Sequence, residues 1–334
     1  MIRVAVSGSG QMGTLVLETI EAQPDMEPVG VLETVGEPPA EERLASSTVV
    51  PVYRTPEALF AEAKPDVVVD FTNAAFTPTL VEAATKAGVR LVVGTSGVKP
   101  ETIEAWRTAC ASTGVGGVYA ANFAIGAVLL MHMSAIAAKF FDSAEIIELH
   151  HDRKVDSPSG TAVSTARLMR EARGRDFVAN TSDLETLEGA RGARDGGIPI
   201  HSVRLSGFVA SQEVIFGGQG QTLTLRHDST GRDSFMPGVV LAVREVVNRN
   251  ELVVGLETLV GLTQDGPGRG RLPPPRQCDV ARPAVRRPSC GGVDSRRVTA
   301  GRRSASSRAT ASPRSAAHPS RATNAPRLAT PSPT

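Results

Sequence analysis

Cysteine is scarce in these 334 residues: Cys110, Cys278 and Cys290 stand in no Cys-x-x-Cys spacing. That excludes a disulfide-stapled scaffold and a cysteine zinc site, and it points to a reducing compartment. Long apolar runs are lacking as well. The most apolar window, Val118–Met133, is interrupted by Asn122 and His132, and a bilayer crossing needs about 20 apolar residues. The opening Met1-Ile-Arg-Val-Ala-Val-Ser-Gly8 reads as a strand entering a glycine turn, not as the apolar block of a secretory leader. A cytoplasmic protein with no membrane partner is expected.

Aromatic residues number 13, and none lies beyond residue 262. The last 72 residues also contain no lysine; they carry 14 Arg, 3 Asp and 11 of the 23 prolines, so the overall charge of +1 conceals −10 before residue 263 and +11 after it. Residues 263–334 have too little apolar content for a core and are expected to form a disordered Arg/Pro/Ser-rich tail. A basic arm for nucleic acid is one reading. The preferred reading is a segment with no selected role, because arginine without lysine, aromatics or repeats is what a GC-rich message translated out of frame yields. Nucleic acid is therefore not an expected partner.

The first 120 residues alternate aliphatic runs with amphipathic stretches. Ile2–Val6, Val29–Leu32, Val67–Phe71 and Leu91–Val93 are continuous and β-branched, as parallel strands covered on both faces require. Gln11–Gln23, Pro56–Lys64, Phe76–Ala87 and Lys99–Thr113 follow helical period, with Pro56 and Pro100 at helix starts. This β-α alternation predicts an α/β fold with a doubly wound parallel sheet. From Asn122 the rhythm changes to a helix (Ile125–Phe140), a strand (Ala144–His150) and a helix opening near Ser159. A polar, glycine-rich loop (Thr181–Gly197) precedes strands His201–Phe208, Glu213–Phe216 and Gln221–Arg226. These predict a second, α+β domain on a mixed sheet. Phe235–Arg249 is again helical, and Leu252–Leu262 is apolar enough to return to the first domain.

Gly8-Ser9-Gly10-Gln11-Met12-Gly13 is a GxGxxG between the first strand and the first helix, and Glu33 stands 20 residues beyond Gly13 at the end of the second strand. Such a turn brings backbone close to a pyrophosphate on the positive end of the helix, and an acidic residue at that distance accepts hydrogen bonds from ribose hydroxyls. The same pattern also occurs as a plain tight turn. In this context it predicts a dinucleotide-binding, Rossmann-type domain. A carboxylate at position 33 repels a 2′-phosphate unless an arginine lies beside it. Thr34 and Gln11 are uncharged, which favours NADH and leaves NADPH open. Gly94-Thr95-Ser96-Gly97 follows the fourth strand, at the sheet edge where the nicotinamide would lie.

The densest polar stretch runs Glu148-Leu-His-His-Asp-Arg-Lys-Val-Asp-Ser-Pro-Ser-Gly-Thr-Ala162. Ser159, Gly160 and Thr161 open a helix, where backbone N–H groups attract an anion such as a carboxylate. His150, His151 and Lys154 add positive charge and proton donors. Surface histidines, a zinc pair and a mere N-cap at Ser159 are the competing readings; no third ligand stands at metal spacing, so no metal is expected.

This stretch resembles the signature E-x-H-H-x-x-K-x-D-x-P-S-G-T-A of the 4-hydroxy-tetrahydrodipicolinate reductase (dihydrodipicolinate reductase) family. Asp70-Phe-Thr72, Gly94–Gly97, Ala121-Asn-Phe123 and Ile200-His-Ser-Val-Arg204 match it as well. The similarity spans about residues 1–262. It implies a Rossmann domain of residues 1–121 and 233–262, a substrate-binding and oligomerisation domain of residues 122–232, and a homotetramer. It implies His150 as proton donor and Lys154 as second catalytic group, with His151, Ser159, Gly160 and Thr161 holding the carboxylates of a small dicarboxylate substrate. Gly8, Ser9, Gly10, Gln11, Met12, Gly13, Glu33, Gly94, Thr95, Ser96, Ala120, Ala121, Asn122 and Phe123 would line the cofactor. The implied reaction is hydride transfer from NADH or NADPH to 4-hydroxy-tetrahydrodipicolinate, giving tetrahydrodipicolinate and water in lysine and diaminopimelate biosynthesis. A related reductase of another amino or imino acid, or a non-catalytic dinucleotide sensor, are the alternatives.

Overall fold

The computed structural model describes residues 1–44, 46–180, 182 and 184–262, so the expectation for residues 263–334 lies outside the described residues. In chain order the first part holds β1 (Ile2–Ser7), α1 (Gln11–Glu21), β2 (Met26–Leu32), β3 (Glu41–Arg43), β4 (Val49–Tyr53), α2 (Pro56–Glu62), β5 (Val67–Asp70), α3 (Thr77–Ala87), β6 (Arg90–Val93), α4 (Pro100–Thr113) and β7 (Gly117–Tyr119). Then follow α5 (Ile125–Ala137), β8 (Ser143–His150), α6 (Gly160–Arg173), β9 (Ala193–Asp195), β10 (Ile198–Arg204), β11 (Ala210–Gly218) and β12 (Gln221–Ser229). A 3₁₀ turn (Arg232–Phe235), α7 (Met236–Val246) and β13 (Leu252–Val254) complete the described chain.

The first sheet has strand order β13-β7-β6-β5-β1-β2-β4-β3, parallel except for β3 against β4. Its central strands are aliphatic on both faces because helices cover both. Val16, Leu17, Ile20, Val239 and Val243 pack on one side, and Leu59, Leu80, Val81 and Trp106 on the other. Each fully buried aliphatic side chain of this kind contributes about 1.5–3 kcal/mol. The winding reverses between β1 and β5, which opens a crevice at their carboxyl ends, and there the glycine turn sits.

Five strands go beyond the sequence reading: β3, β4, β7, β9 and β13. Pro51 disguises β4; it pairs only with Glu41 of β3, beyond the reach of β2, so its missing N–H costs no central ladder bond. β7 is three residues long and is buried between β6 and β13. β9 lies within the expected loop Thr181–Gly197, antiparallel to β10. The expected strand His201–Phe208 begins earlier, at Ile198, and ends at Arg204.

The second sheet, β12-β11-β8-β10-β9, is mixed: β8 runs parallel to β10 and antiparallel to β11. Helices α5 and α6 bury one face of it through Leu130, Ala162, Ala166 and Met169 against Ile146, Ile200, Val214 and Phe216. The register of that face governs the chemistry. Ile146, Ile200 and Val214 form an apolar row; the next row is Glu148, Ser202 and Gln212, and the last is His150, Arg204 and Ala210. Period-2 alternation thus carries one face from core to polar at the carboxyl end of β8.

Candidate active site

The glycine turn is built by steric necessity. A side chain at Gly13 would place its Cβ 1.9 Å from the Gly8 carbonyl oxygen, so only glycine lets α1 approach β1 this closely. Gly8 has φ +93°, a left-handed conformation that favours glycine. Gly10 caps α1 with open space around it. Gly8, Gly10, Gln11, Met12, Gly13 and Glu33 line a cleft of about 450 Å³. Thr72, Phe76 and Arg232 line it too, the last from the 3₁₀ turn before α7. This open cradle on a helix N-terminus fits a pyrophosphate.

Glu33 is held in place. Its Oε2 accepts hydrogen bonds from the Ser9 N–H at 3.0 Å and the Ser9 hydroxyl at 2.9 Å, and its Oε1 accepts the Val35 N–H at 3.0 Å. Burial opposes ionisation, but these donors and the charge of Arg54 hold the carboxyl below its usual range. Arg54 follows β4 and donates to the Gly36 carbonyl at 2.6 Å, closing the loop that contains Thr34 and Val35. The sequence reading looked for a cation next to Glu33 in the chain, and the sheet brings one from β4.

At the ends of β5 and β6, fully buried Asp70 gathers hydroxyls: Thr72 donates at 2.6 Å, Thr95 at 2.9 Å and Thr77 at 3.4 Å. The Thr95 hydroxyl therefore points inward. Gly94 stands against the Phe71 ring, and Phe123 is buried edge-on to Phe71 with 5.5 Å between ring centroids. Ser96, Ala120, Ala121 and Asn122 reach a second cavity of about 610 Å³, whose opposite wall is His150, Lys154, Ser159, Gly160 and Thr161. Asn122 joins the two walls: its Oδ1 accepts the Ala124 N–H at 2.8 Å, and its Nδ2 donates to Thr161 Oγ1 at 3.5 Å.

His150 Nδ1 lies 2.5 Å from Glu148 Oε2, two residues back on the same strand face. Glu148 is fully buried, and Arg204 of β10 grips both its oxygens, at 2.9 and 2.8 Å. The Ser159 N–H adds a fourth bond at 3.2 Å. Burial works against the Glu148 charge, yet Arg204, Ser202 and His150 hold its carboxyl below the usual range. Burial also depresses the His150 imidazole, and Lys154 and Arg204 add to this against the opposing pull of Glu148. Facing a carboxylate acceptor, a neutral His150 ring carries its proton on Nδ1.

Ser159 caps α6: its hydroxyl accepts the Ala162 N–H at 3.2 Å. Among the described residues, the Gly160 and Thr161 N–H groups make no hydrogen bond and form the open anion-binding end of the helix. Lys154 donates to Asp156 at 2.7 Å. The Nδ1 of His151 is buried without a partner. Glu148, Arg204, Asp70, Arg54 and Arg232 were not assigned roles from sequence. The Glu148–His150 spacing on one strand face and the family-like segments that contain Asp70 and Arg204 were the available signals; Arg54 and Arg232 needed tertiary neighbours.

The family description "Dihydrodipicolinate reductase, N-terminus" matches residues 2–123, and "Dihydrodipicolinate reductase, C-terminus" matches residues 126–260. The 4-hydroxy-tetrahydrodipicolinate reductase of Geobacillus kaustophilus (strain HTA426) is 47% identical over 262 residues, covering 78% of this chain and 99% of that protein. The protein of the same name from Listeria welshimeri is 47% identical over 267 residues, covering 78% of this chain and 100% of its own. Among solved structures, a dipicolinate-bound dihydrodipicolinate reductase from Paenisporosarcina sp. TG-14 is 41% identical with a TM-score of 0.69, covering 77% of this chain and 99% of that one. An amine dehydrogenase from Mycobacterium smegmatis, 13% identical with a TM-score of 0.52, shares the fold alone. Because both parts of the family description match, over residues 2–123 and 126–260, and a relative covered over 99% of its length is 47% identical, this chain belongs to the dihydrodipicolinate reductase family.

Proposed function

We propose that this protein reduces 4-hydroxy-tetrahydrodipicolinate to tetrahydrodipicolinate in lysine and diaminopimelate biosynthesis, with His150 as the proton donor. One observation carries the reading: a single cavity joins the cofactor-side residues Ser96, Ala120, Ala121 and Asn122 to His150, Lys154 and the unpaired N–H groups of Gly160 and Thr161. The bound nicotinamide supplies hydride. The α6 N-terminus holds a substrate carboxylate, with Ser159 fixing the turn and His151 and Lys154 adding charge. Lys154 leaves Asp156 to meet the substrate. His150, once it has taken up a second proton, on Nε2, gives that proton to the departing hydroxyl, which leaves as water, and returns to the Nδ1–H form.

Gly8, Ser9, Gly10, Gln11, Met12, Gly13 and Glu33 would hold the adenosine and pyrophosphate half, with Arg232 as an added cation. Gly94, Thr95, Ser96, Ala120, Ala121, Asn122 and Phe123 would support the nicotinamide side. Glu33 favours NADH, and Arg54 supplies the positive charge that admits NADPH. Residues 1–121 with 233–262 act as the nucleotide domain and 122–232 as the substrate domain. The protein would work in the cytoplasm, alongside the soluble dicarboxylate substrate and nicotinamide cofactor that this reading assigns to it; among the described residues no helix is long and apolar enough to cross a membrane. Ile147, Leu149, Val203 and Ile215 lie half-buried on the face of the second sheet opposite α5 and α6, a surface suited to a homotetramer.

The deciding experiment follows NADH and NADPH absorbance with substrate made in situ from pyruvate and aspartate semialdehyde, using the full chain and a 1–262 truncation. Oxidation by both establishes the reductase and makes residues 263–334 dispensable. Cofactor binding without turnover in either would overturn the reading in favour of a dinucleotide sensor.

A further inference from the structure

We propose that Arg204 is a positioning residue for His150: its guanidinium fork fixes Glu148, which holds the imidazole as the Nδ1–H tautomer and leaves Nε2 available to the cavity. The inference rests on the reading of His150 as the proton donor. Arg204 does not line the cavity, so it acts through what it touches.

The Glu148 carboxylate collects four donors from three elements: His150 of its own strand, both Nη groups of Arg204 on β10, and the Ser159 N–H at the head of α6. Arg204 Nη2 also donates to the Asp156 carbonyl at 2.7 Å, which pins the loop that carries Lys154. One guanidinium thus ties together the histidine, the anion-binding helix end and the lysine loop. The arrangement follows from register, since parallel pairing sets Ser202 opposite Glu148 and Arg204 opposite His150. A lysine could not match it, because only the planar fork spans two carboxylate oxygens at once.

The charge balance gives the fork its chemical effect. A fully buried carboxylate beside an imidazole stabilises the imidazolium strongly if nothing else neutralises it. Here Arg204 neutralises it at 2.8 and 2.9 Å, so Glu148 orients the ring without drawing a second proton onto it. The other charged or titratable groups around His150, among the described residues, are Lys154 and Asp156 of the loop, which pair with each other at 2.7 Å, Arg167 of α6 and Glu257, which line the same cavity, and His227 of β12, which shares a small pocket with His150. None of them offsets the Glu148 charge directly. With its ring held neutral at rest, His150 is a strong acid once protonated and releases its proton readily to a departing hydroxyl.

The test uses the full chain with ¹³C-labelled histidine, following the His150 titration by NMR alongside the pH profile of kcat/KM. His150→Gln identifies the resonance, and NADH affinity reports that the nucleotide side is folded. Arg204→Gln should raise the His150 midpoint by about one pH unit or more, while Glu148→Gln should lower it. Arg204→Lys, which keeps the charge and loses the fork, should reverse most of the shift but leave kcat depressed with KM little changed. Should Arg204→Gln not fold, the lowered midpoint in Glu148→Gln, together with a depressed kcat at a near-parent midpoint in Arg204→Lys, still decides. Midpoints that stay put, or move the same way in the Glu148 and Arg204 variants, overturn the proposal. Midpoints that move as expected while the pH profile stays fixed uphold the role of Arg204 and overturn His150 as proton donor.

Discussion

Ser9 and Glu33 are locked together: one carboxylate oxygen of Glu33 accepts both the N–H and the hydroxyl of Ser9, at 3.0 and 2.9 Å. The acidic residue that the glycine spacing assigns to a ribose is already bonded to the turn that would carry the pyrophosphate. Changing Glu33 therefore disturbs both halves of a dinucleotide site.

Glu33→Ala should weaken NADH binding about tenfold, or ~1.4 kcal/mol, and NADPH binding less, because it removes the repulsion of a 2′-phosphate along with the ribose contact. Arg54→Ala should do the reverse and weaken NADPH selectively. Fluorescence titration of both cofactors checks this pair. Equal losses for the two cofactors in both variants would remove Glu33 and Arg54 from cofactor choice.

For the reaction itself, His150→Gln and Lys154→Ala should each lower turnover by about 10²-fold or more. Tm and NADH affinity should stay near those of the parent, since neither side chain belongs to a core cluster. Full activity in either variant would take that residue out of the chemistry.

At Gly13 the expectation is structural. A methyl group there would meet the Gly8 carbonyl oxygen at 1.9 Å, so Gly13→Ala must push α1 away from β1. The cost should be about 1–3 kcal/mol of stability with loss of cofactor binding. By contrast, Gly10→Ala meets open space and should keep its fold. Thermal unfolding and NADH titration of both variants make the comparison, and equal behaviour would argue against the packing account.

Stability should fall on acidification in two stages. The folded His150 lies below its ordinary 6.5, so the unfolded chain takes up the proton first, and stability declines as pH falls through 6.5 toward the folded value. The folded Glu148 lies below its ordinary 4.5; its contribution is complete above 4.5 and is lost as pH falls through the folded value. Urea unfolding at fixed protein concentration from pH 8 down to pH 2 measures both. A His150→Gln variant should flatten the upper stage, and an unchanged slope would show that His150 does not govern it.

The strands that sequence reading found most readily are those buried on both faces, because their aliphatic residues run without interruption: β1, β2, β5 and β6. β4 escaped because Pro51 reads as a strand breaker, and only the pairing shows that its missing N–H faces no central partner. The helix end at Ser159 was legible because a capping residue and the small residues after it are local in the chain. Arg204 was not: the Glu148 to which it binds lies 56 positions away in sequence, and a parallel register one residue out would have turned Arg204 to the other face.

By itself the sequence determined what depends on neighbours along the chain: the alternating α/β order, the glycine turn, the polar stretch from His150 to the helix start at Ser159 and the charge-split composition. Backbone preferences and hydrophobic period act over a few residues, so they are written locally. Tertiary structure alone decided which charges meet. Whether Arg54 reaches the Glu33 loop, whether Arg204 neutralises Glu148, and whether the two sheets share one cavity depend on strand order and register. Electrostatic effects in a buried site are set by distances of a few ångströms between groups far apart in sequence, and only the folded chain fixes those distances.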